Sequence, residues 1–173
     1  MSDLFNFINK LSQTPLSFLF LSSFLTLGTA YVFQYGFDYF PCQMCYWQRY
    51  PYMAVIILGM IGLLNERGIY TLSKPFPKLI LQISTLLLLI DGGIAGFHVG
   101  VEYNWWEGLT ACTSPVDMSG SIEEVLEQIK NAPLVRCDTA AWTMFGVSMA
   151  GYNFFVAMML ASFGLFSLKK KVN

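Results

Sequence analysis

Long uncharged apolar runs alternate with short polar segments along this chain, and that pattern predicts membrane-spanning helices. The first run covers about Leu16 to Tyr35 and carries no charge. The second covers about Tyr46 to Leu64 and is charged only at Arg49, near its start. The third runs from about Leu79 to Val99 with Asp91 as its one charge, and the fourth from about Phe145 to Leu168 with none. Each has the roughly 20 residues that an apolar layer of about 30 Å requires. The expected fold is all-α: a four-transmembrane-helix bundle in which residues 1–173 form a single integral membrane domain.

Loop lengths refine the bundle. The first outer loop, about 36–45, is short, so spans 1 and 2 form an antiparallel hairpin. Asn65 to Lys78 is a turn on the other side, broken by Gly68, Pro75 and Pro77. The second outer loop, about 100–144, is the only sizeable segment outside the spans. Within it Ser121 and Glu124 have the spacing of a capping box, and Ile122, Val125, Leu126 and Ile129 recur on one helical face. A helix of about ten residues is marginal alone in water, so a short amphipathic helix lying along the membrane interface is expected. Tyr103, Trp105, Trp106 and Trp142 suit the same interfacial zone. The first run exceeds a signal h-region of about 7–15 residues and no small-x-small site clearly precedes residue 42, so it reads as a span.

Composition agrees: 55% of the 173 residues are hydrophobic and 12% charged, against roughly 25% charged in soluble domains. Net charge is −1, which offers nothing to nucleic acid. The basic residues set the orientation. Lys10, Arg67, Lys74, Lys78 and Lys169 to Lys171 share one side, so both termini are expected in the cytoplasm. The outer side is acidic and holds all four cysteines, where disulfides persist.

Those cysteines carry the candidate chemistry. Cys42 and Cys45 form a C-x-x-C pair at the mouth of span 2, and Cys112 and Cys137 flank the amphipathic segment. Cys112 and Cys137 could be a simple loop staple. A C-x-x-C pair closes too small a ring for that and is usually redox-active. Four-cysteine zinc fits poorly, because the second pair is widely spaced, and copper handling through Met44 and the thiols has as little support; no metal is called for. Cys45 falls where free helix N–H groups favour a thiolate. Arg49, one turn deeper, needs a partner or a function in apolar surroundings. It could face Cys45 or the oxygen of a bound electron acceptor, or simply reach for headgroups. Two dithiols on one face allow thiol–disulfide exchange from a soluble protein to a lipid-soluble oxidant, and a quinone fits that last role. His98, the only histidine, could manage a proton near neutral pH or be a satisfied interfacial residue. Asp91 reads as a neutral, hydrogen-bonded acid, bonded to Ser or Thr of a neighbouring helix, or as part of a proton path. Glu102 and Glu107 read as solvated or interfacial loop charges rather than catalytic acids.

With four spans, Cys42-Gln43-Met44-Cys45 followed by Gln48-Arg49, and the Cys112/Cys137 pair, the chain resembles the bacterial DsbB family of disulfide-bond formation proteins from about Leu16 to Leu168. The stretches around His98 to Glu102 and Cys137 to Trp142 also look like one branch of it. The resemblance implies a multi-pass inner-membrane enzyme that reoxidises a periplasmic, thioredoxin-like oxidase of the DsbA type and reduces a quinone, ubiquinone or menaquinone. It implies that Cys112 forms the mixed disulfide with the partner. Cys137 would be the partner of Cys112 and bridge transiently to Cys42, and Cys45 would lie beside the quinone. Arg49 matches an arginine implicated in quinone function, and His98 falls near a histidine of the quinone site. The loop spacing and the Cys112-Thr113-Ser114-Pro115 context differ from the best-known members, which leaves the partner open. Two rivals remain: a reductase like the vitamin K epoxide reductases, with electrons running the opposite way, and a non-catalytic membrane scaffold with structural disulfides.

Overall fold

The computed structural model of the chain describes residues 14–69, 71, 73, 75–108, 121–123, 126 and 136–170. Four long helices carry the fold. Helix α1 is Pro15–Gly36, α2 Gln43–Glu66 and α3 Pro75–Glu102. A two-residue hairpin follows, β1 Thr143–Met144 and β2 Val147–Ser148, and then α4 Met149–Lys170. Helices α1, α3 and α4 are long and apolar enough to cross a membrane. Helix α2 has 24 residues, about the same reach at roughly 1.5 Å per residue, but its first turns carry Gln43, Gln48 and Arg49.

Each start has a local cause. Pro15 opens α1, where its missing N–H leaves nothing unpaired. Pro75 and Pro77 do the same for α3, so the prolines expected to break the turn instead begin the helix four residues before the predicted span. The expected start of span 4 at Phe145 is also revised. Phe145 and Gly146 both have positive φ and form the two-residue turn of the hairpin, and α4 begins only at Met149. Ser148 then caps it, its Oγ accepting the Gly151 N–H at 3.1 Å.

The helices pack in chain order: α1 on α2, α2 on α3, α3 on α4, with α4 touching α1 to close the bundle. The main apolar core lies toward the end where α1 and α3 begin. It includes Leu16, Leu19, Val55, Leu81, Leu88 and Leu160. A smaller cluster at the other end gathers Cys42, Met44, Val101 and Cys137. Two glycines let backbones approach. A Cβ on Gly59 would sit 2.8 Å from the Phe20 Cβ across the α1–α2 contact, and one on Gly164 would overlap Thr85 across α3–α4. Pro51 lies inside α2; without an N–H it leaves the Trp47 carbonyl without its usual helical donor, one turn from the site.

Most of the expected amphipathic helix lies outside the described residues. Of it, Ile122, Glu123 and Leu126 are helical, with Ile122 and Leu126 exposed.

The close contacts make a prediction. Gly164→Val should lower the thermal midpoint of the purified protein in detergent, since overpacking costs about 1–3 kcal/mol. An unchanged midpoint would mean that α3 and α4 do not meet at this point.

Candidate functional site

The C-x-x-C pair is built by the start of a helix. Pro41 leads in, and Cys42 takes the N-cap position of α2 with extended backbone. Its sulfur accepts the Cys45 N–H at 3.3 Å, as a serine oxygen would. That turn brings Cys42 Sγ to 3.0 Å from Cys45 Sγ. Both are free thiols here, and Cys42 is buried while Cys45 is partly open. Donation of its proton to Cys45, and then burial, push the Cys42 thiol up to about 12, against a smaller opposing effect of His98. Cys42 is therefore the member of the pair that keeps its proton.

Helix α3 brings His98 against the pair. Its Nε2 is 3.5 Å from Cys42 Sγ, and its Nδ1 is 2.8 Å from Gln48 Nε2 of α2. The donor atoms of Cys42, Cys45 and His98 all lie within 4.8 Å of one another. Glu102, one turn beyond His98, places Oε1 3.8 Å from the same Nε2. Its Oε2 accepts the Ser148 hydroxyl from the start of α4. Glu102 was expected to be a solvated or interfacial loop charge. The structure corrects this: its side chain is 6% exposed and lies between His98 and Ser148.

Arg49 lies one helical turn beyond Cys45 and is buried. Its Nη1 donates to Gln34 Oε1 of α1 at 2.5 Å. Its guanidinium also lies 5.0 Å from the Tyr31 ring and 5.2 Å from the Tyr46 ring. Those aromatic faces offset the burial of its charge, and Gln34, Tyr31 and Tyr46 hold its head group.

A deeper set of polar groups joins this site. Asn153 of α4 donates from Nδ2 to Gln48 Oε1 at 2.8 Å and to Asp91 Oδ2 at 3.1 Å, and accepts the Tyr52 hydroxyl at 2.8 Å. Asp91 is completely buried and meets Asn153 rather than the Ser or Thr expected of it. Tyr52 and Asn153 were not singled out from the sequence, and Gln48 entered only through the Gln48-Arg49 motif of the resemblance. The signal available was the occurrence of polar side chains at intervals inside otherwise apolar runs.

A cavity of about 700 Å³ opens over the pair. Cys42, Cys45, Gln48, Arg49 and His98 line it together with Phe33, Phe40 and Trp142. Cys137 is buried in the same small cluster as Cys42. Beside it Arg136 and Asp138 form a two-pronged exposed ion pair, with Nε–Oδ1 at 2.8 Å, which holds the Asp138 carboxyl below its usual range. Cys112 lies outside the described residues.

Comparison with known proteins adds an independent line. A profile of the disulfide bond formation protein DsbB family matches residues 12–167. The chain is 27% identical to an uncharacterized protein of Rickettsia prowazekii, over 97% of this chain and 95% of that protein. It is 29% identical to a disulfide bond formation protein B of Xylella fastidiosa, over 89% of this chain and 87% of the relative. A protein of the same name from Histophilus somni is 22% identical, over 86% of this chain and 79% of its own length. No solved structure matches the chain.

The thiol geometry predicts an asymmetric pair. In the reduced protein, alkylation of Cys42 followed by peptide mass spectrometry should still rise roughly tenfold per pH unit at about pH 9. Cys45→Ala removes the largest cause of the shift and should bring the Cys42 titration down. A wild-type plateau below about pH 9 would contradict the assigned proton.

Proposed function

The chain belongs to the DsbB family of membrane proteins of disulfide bond formation, and on that footing we propose that it is a thiol:quinone oxidoreductase that reoxidises a DsbA-like partner. The single observation that carries the reading is the meeting of a closable dithiol with a buried arginine and a histidine in one cavity. In this reading α2 is the fourth span and residues 1–173 form one integral domain. Both termini face the cytoplasm, the cysteines face the periplasm, and the membrane is the bacterial inner membrane.

The cavity suits a quinone head group. Its volume of about 700 Å³ and its aromatic walls suit a flat ring. Arg49 offers several N–H donors, of which Gln34 takes one among the described residues. Arg49 and His98 would hold the ring oxygens, with Cys45 beside them; ubiquinone and menaquinone present the same pair of carbonyls. When bound, a quinone supplies an acceptor for two electrons and two protons.

The chain's own residues supply the rest by exchange. The reduced partner attacks a Cys112–Cys137 disulfide at Cys112, and Cys137 leaves as a thiolate. The partner's second thiolate then displaces Cys112, so the partner leaves oxidised and the loop pair reduced. The loop pair next reduces the Cys42–Cys45 disulfide, for which burial of Cys137 in the Cys42 cluster is favourable. The resulting Cys42–Cys45 dithiol closes again to a disulfide, releasing two electrons and two protons to the acceptor. In this reading Glu102, beside the His98 ring, receives the Cys42 proton.

The test is turnover in membranes. Protein reconstituted with ubiquinone or menaquinone and a reduced thioredoxin-like partner should consume quinone. Cys45→Ser should abolish that activity, and Arg49→Lys should lower it by about 10–100-fold through loss of the planar donor fork. A partner variant lacking its second cysteine should accumulate as a mixed disulfide at Cys112 of the oxidised protein, because nothing then displaces Cys112. Wild-type turnover in Cys45→Ser would overturn the proposal.

A further inference from the structure

His98 is the single histidine of the chain, and a run of directional hydrogen bonds ends on its ring. The run starts at Asp91, about two helical turns deeper in α3. An ionised Asp91 can only accept, and in that state its Oδ2 holds the Asn153 amide with Nδ2 turned toward it, 3.1 Å away. Once that amide is oriented, its other consequences follow. The second Nδ2 proton goes to Gln48 Oε1 at 2.8 Å, and the Asn153 carbonyl oxygen is left to accept the Tyr52 hydroxyl at 2.8 Å. With its oxygen committed to Asn153, Gln48 can offer only its own N–H to the His98 Nδ1, 2.8 Å away. A ring nitrogen that accepts carries no proton.

We propose that Asp91, acting through Asn153 and Gln48, locks His98 in the tautomer that carries its proton on Nε2. Asp91, Asn153 and Gln48 are then positioning residues, and His98 works on the dithiol as a donor. What surrounds Nε2 fits that assignment. Cys42 Sγ lies at 3.5 Å and Glu102 Oε1 at 3.8 Å, both acceptors when ionised. The Cys137 backbone also bonds to the ring. Among the described residues, the other titratable groups around the network include Tyr52, Cys45 and Arg49 of α2 and Cys137. In the exchange step the Cys42–Cys45 bond breaks under attack by the loop thiolate. If the attack falls on Cys45, Cys42 leaves with the electron pair, and if it falls on Cys42, that sulfur joins the new disulfide and Cys45 leaves. Cys137 lies in the Cys42 cluster, which favours the second outcome, and there the Nε2–H bonds the Cys42 sulfur as it is attacked. A neutral His98 with a bare Nε2 would instead be a base for the Cys42 thiol.

The role in exchange rests on the function proposed above, but the tautomer does not, and it can be read without turnover. Histidine labelled with nitrogen-15 gives a spectrum of one residue. In the full-length reduced protein at about pH 8, where an ordinary imidazole is neutral, Nε2 should show the protonated shift and Nδ1 the unprotonated one. Gln48→Glu replaces the donor with an acceptor and should exchange the two shifts. Asn153→Ala frees the Gln48 amide to rotate and should give a mixture of tautomers. A wild-type Nδ1–H tautomer, or an Nε2–H tautomer unmoved in every folded variant, overturns the proposal. Because the first measurement needs no substitution, failure of a variant to fold still leaves a decisive result. Loss of quinone turnover alone would bear on the function and not on the lock.

Discussion

Polar side chains inside an apolar bundle have no water to turn to, so they must satisfy one another. That constraint organises this protein. Gln48, Asn153, Asp91 and His98 come from three different helices and meet within hydrogen-bond distance. None is paired within its own helix by these bonds, so α2, α3 and α4 can meet in only one register if the network is to close. The apolar core at the far end is less selective, because leucines and alanines tolerate sliding. The polar network thus fixes the end of the bundle where the thiols lie.

The same closure shapes the reactivity. Cys42 serves at once as cap, thiol and neighbour of His98, so the ends of α2 and α3 are tied to the redox pair. Cys42 holds its proton and Cys45 accepts it in a hydrogen bond. Arg49 sits one turn inward with its charge wrapped by Gln34, Tyr31 and Tyr46. Because α1 supplies two of those three partners, the helix with no cysteine still shapes the site.

Much of this was legible in the chain itself, for identifiable reasons. Three of the four apolar runs correspond to helices long and apolar enough to cross a membrane, because hydrophobic length is a property of consecutive residues. Cys42, Cys45, Arg49 and His98 stood out as rare residue types at the ends of those runs, and all four line one cavity. The start of α4 was misplaced because Phe145 is apolar, and apolarity cannot reveal a positive φ. Glu102 was misread because its burial depends on Ser148, 46 residues away. Asn153 was passed over for the same reason: its three partners lie on two other helices, and no spacing rule within one segment records such a meeting.

The central claim is that the Cys42–Cys45 dithiol itself delivers an electron pair to a membrane quinone. The most direct measurement is a single turnover of the reduced Cys112→Ala, Cys137→Ala double variant mixed with quinone in lipid. Absorbance would follow the quinone, and mass spectrometry the thiols. The account predicts one quinone reduced per chain, matched by one Cys42–Cys45 disulfide, and then no further reaction. Quinone left unreduced, or reduced without that disulfide, would contradict it.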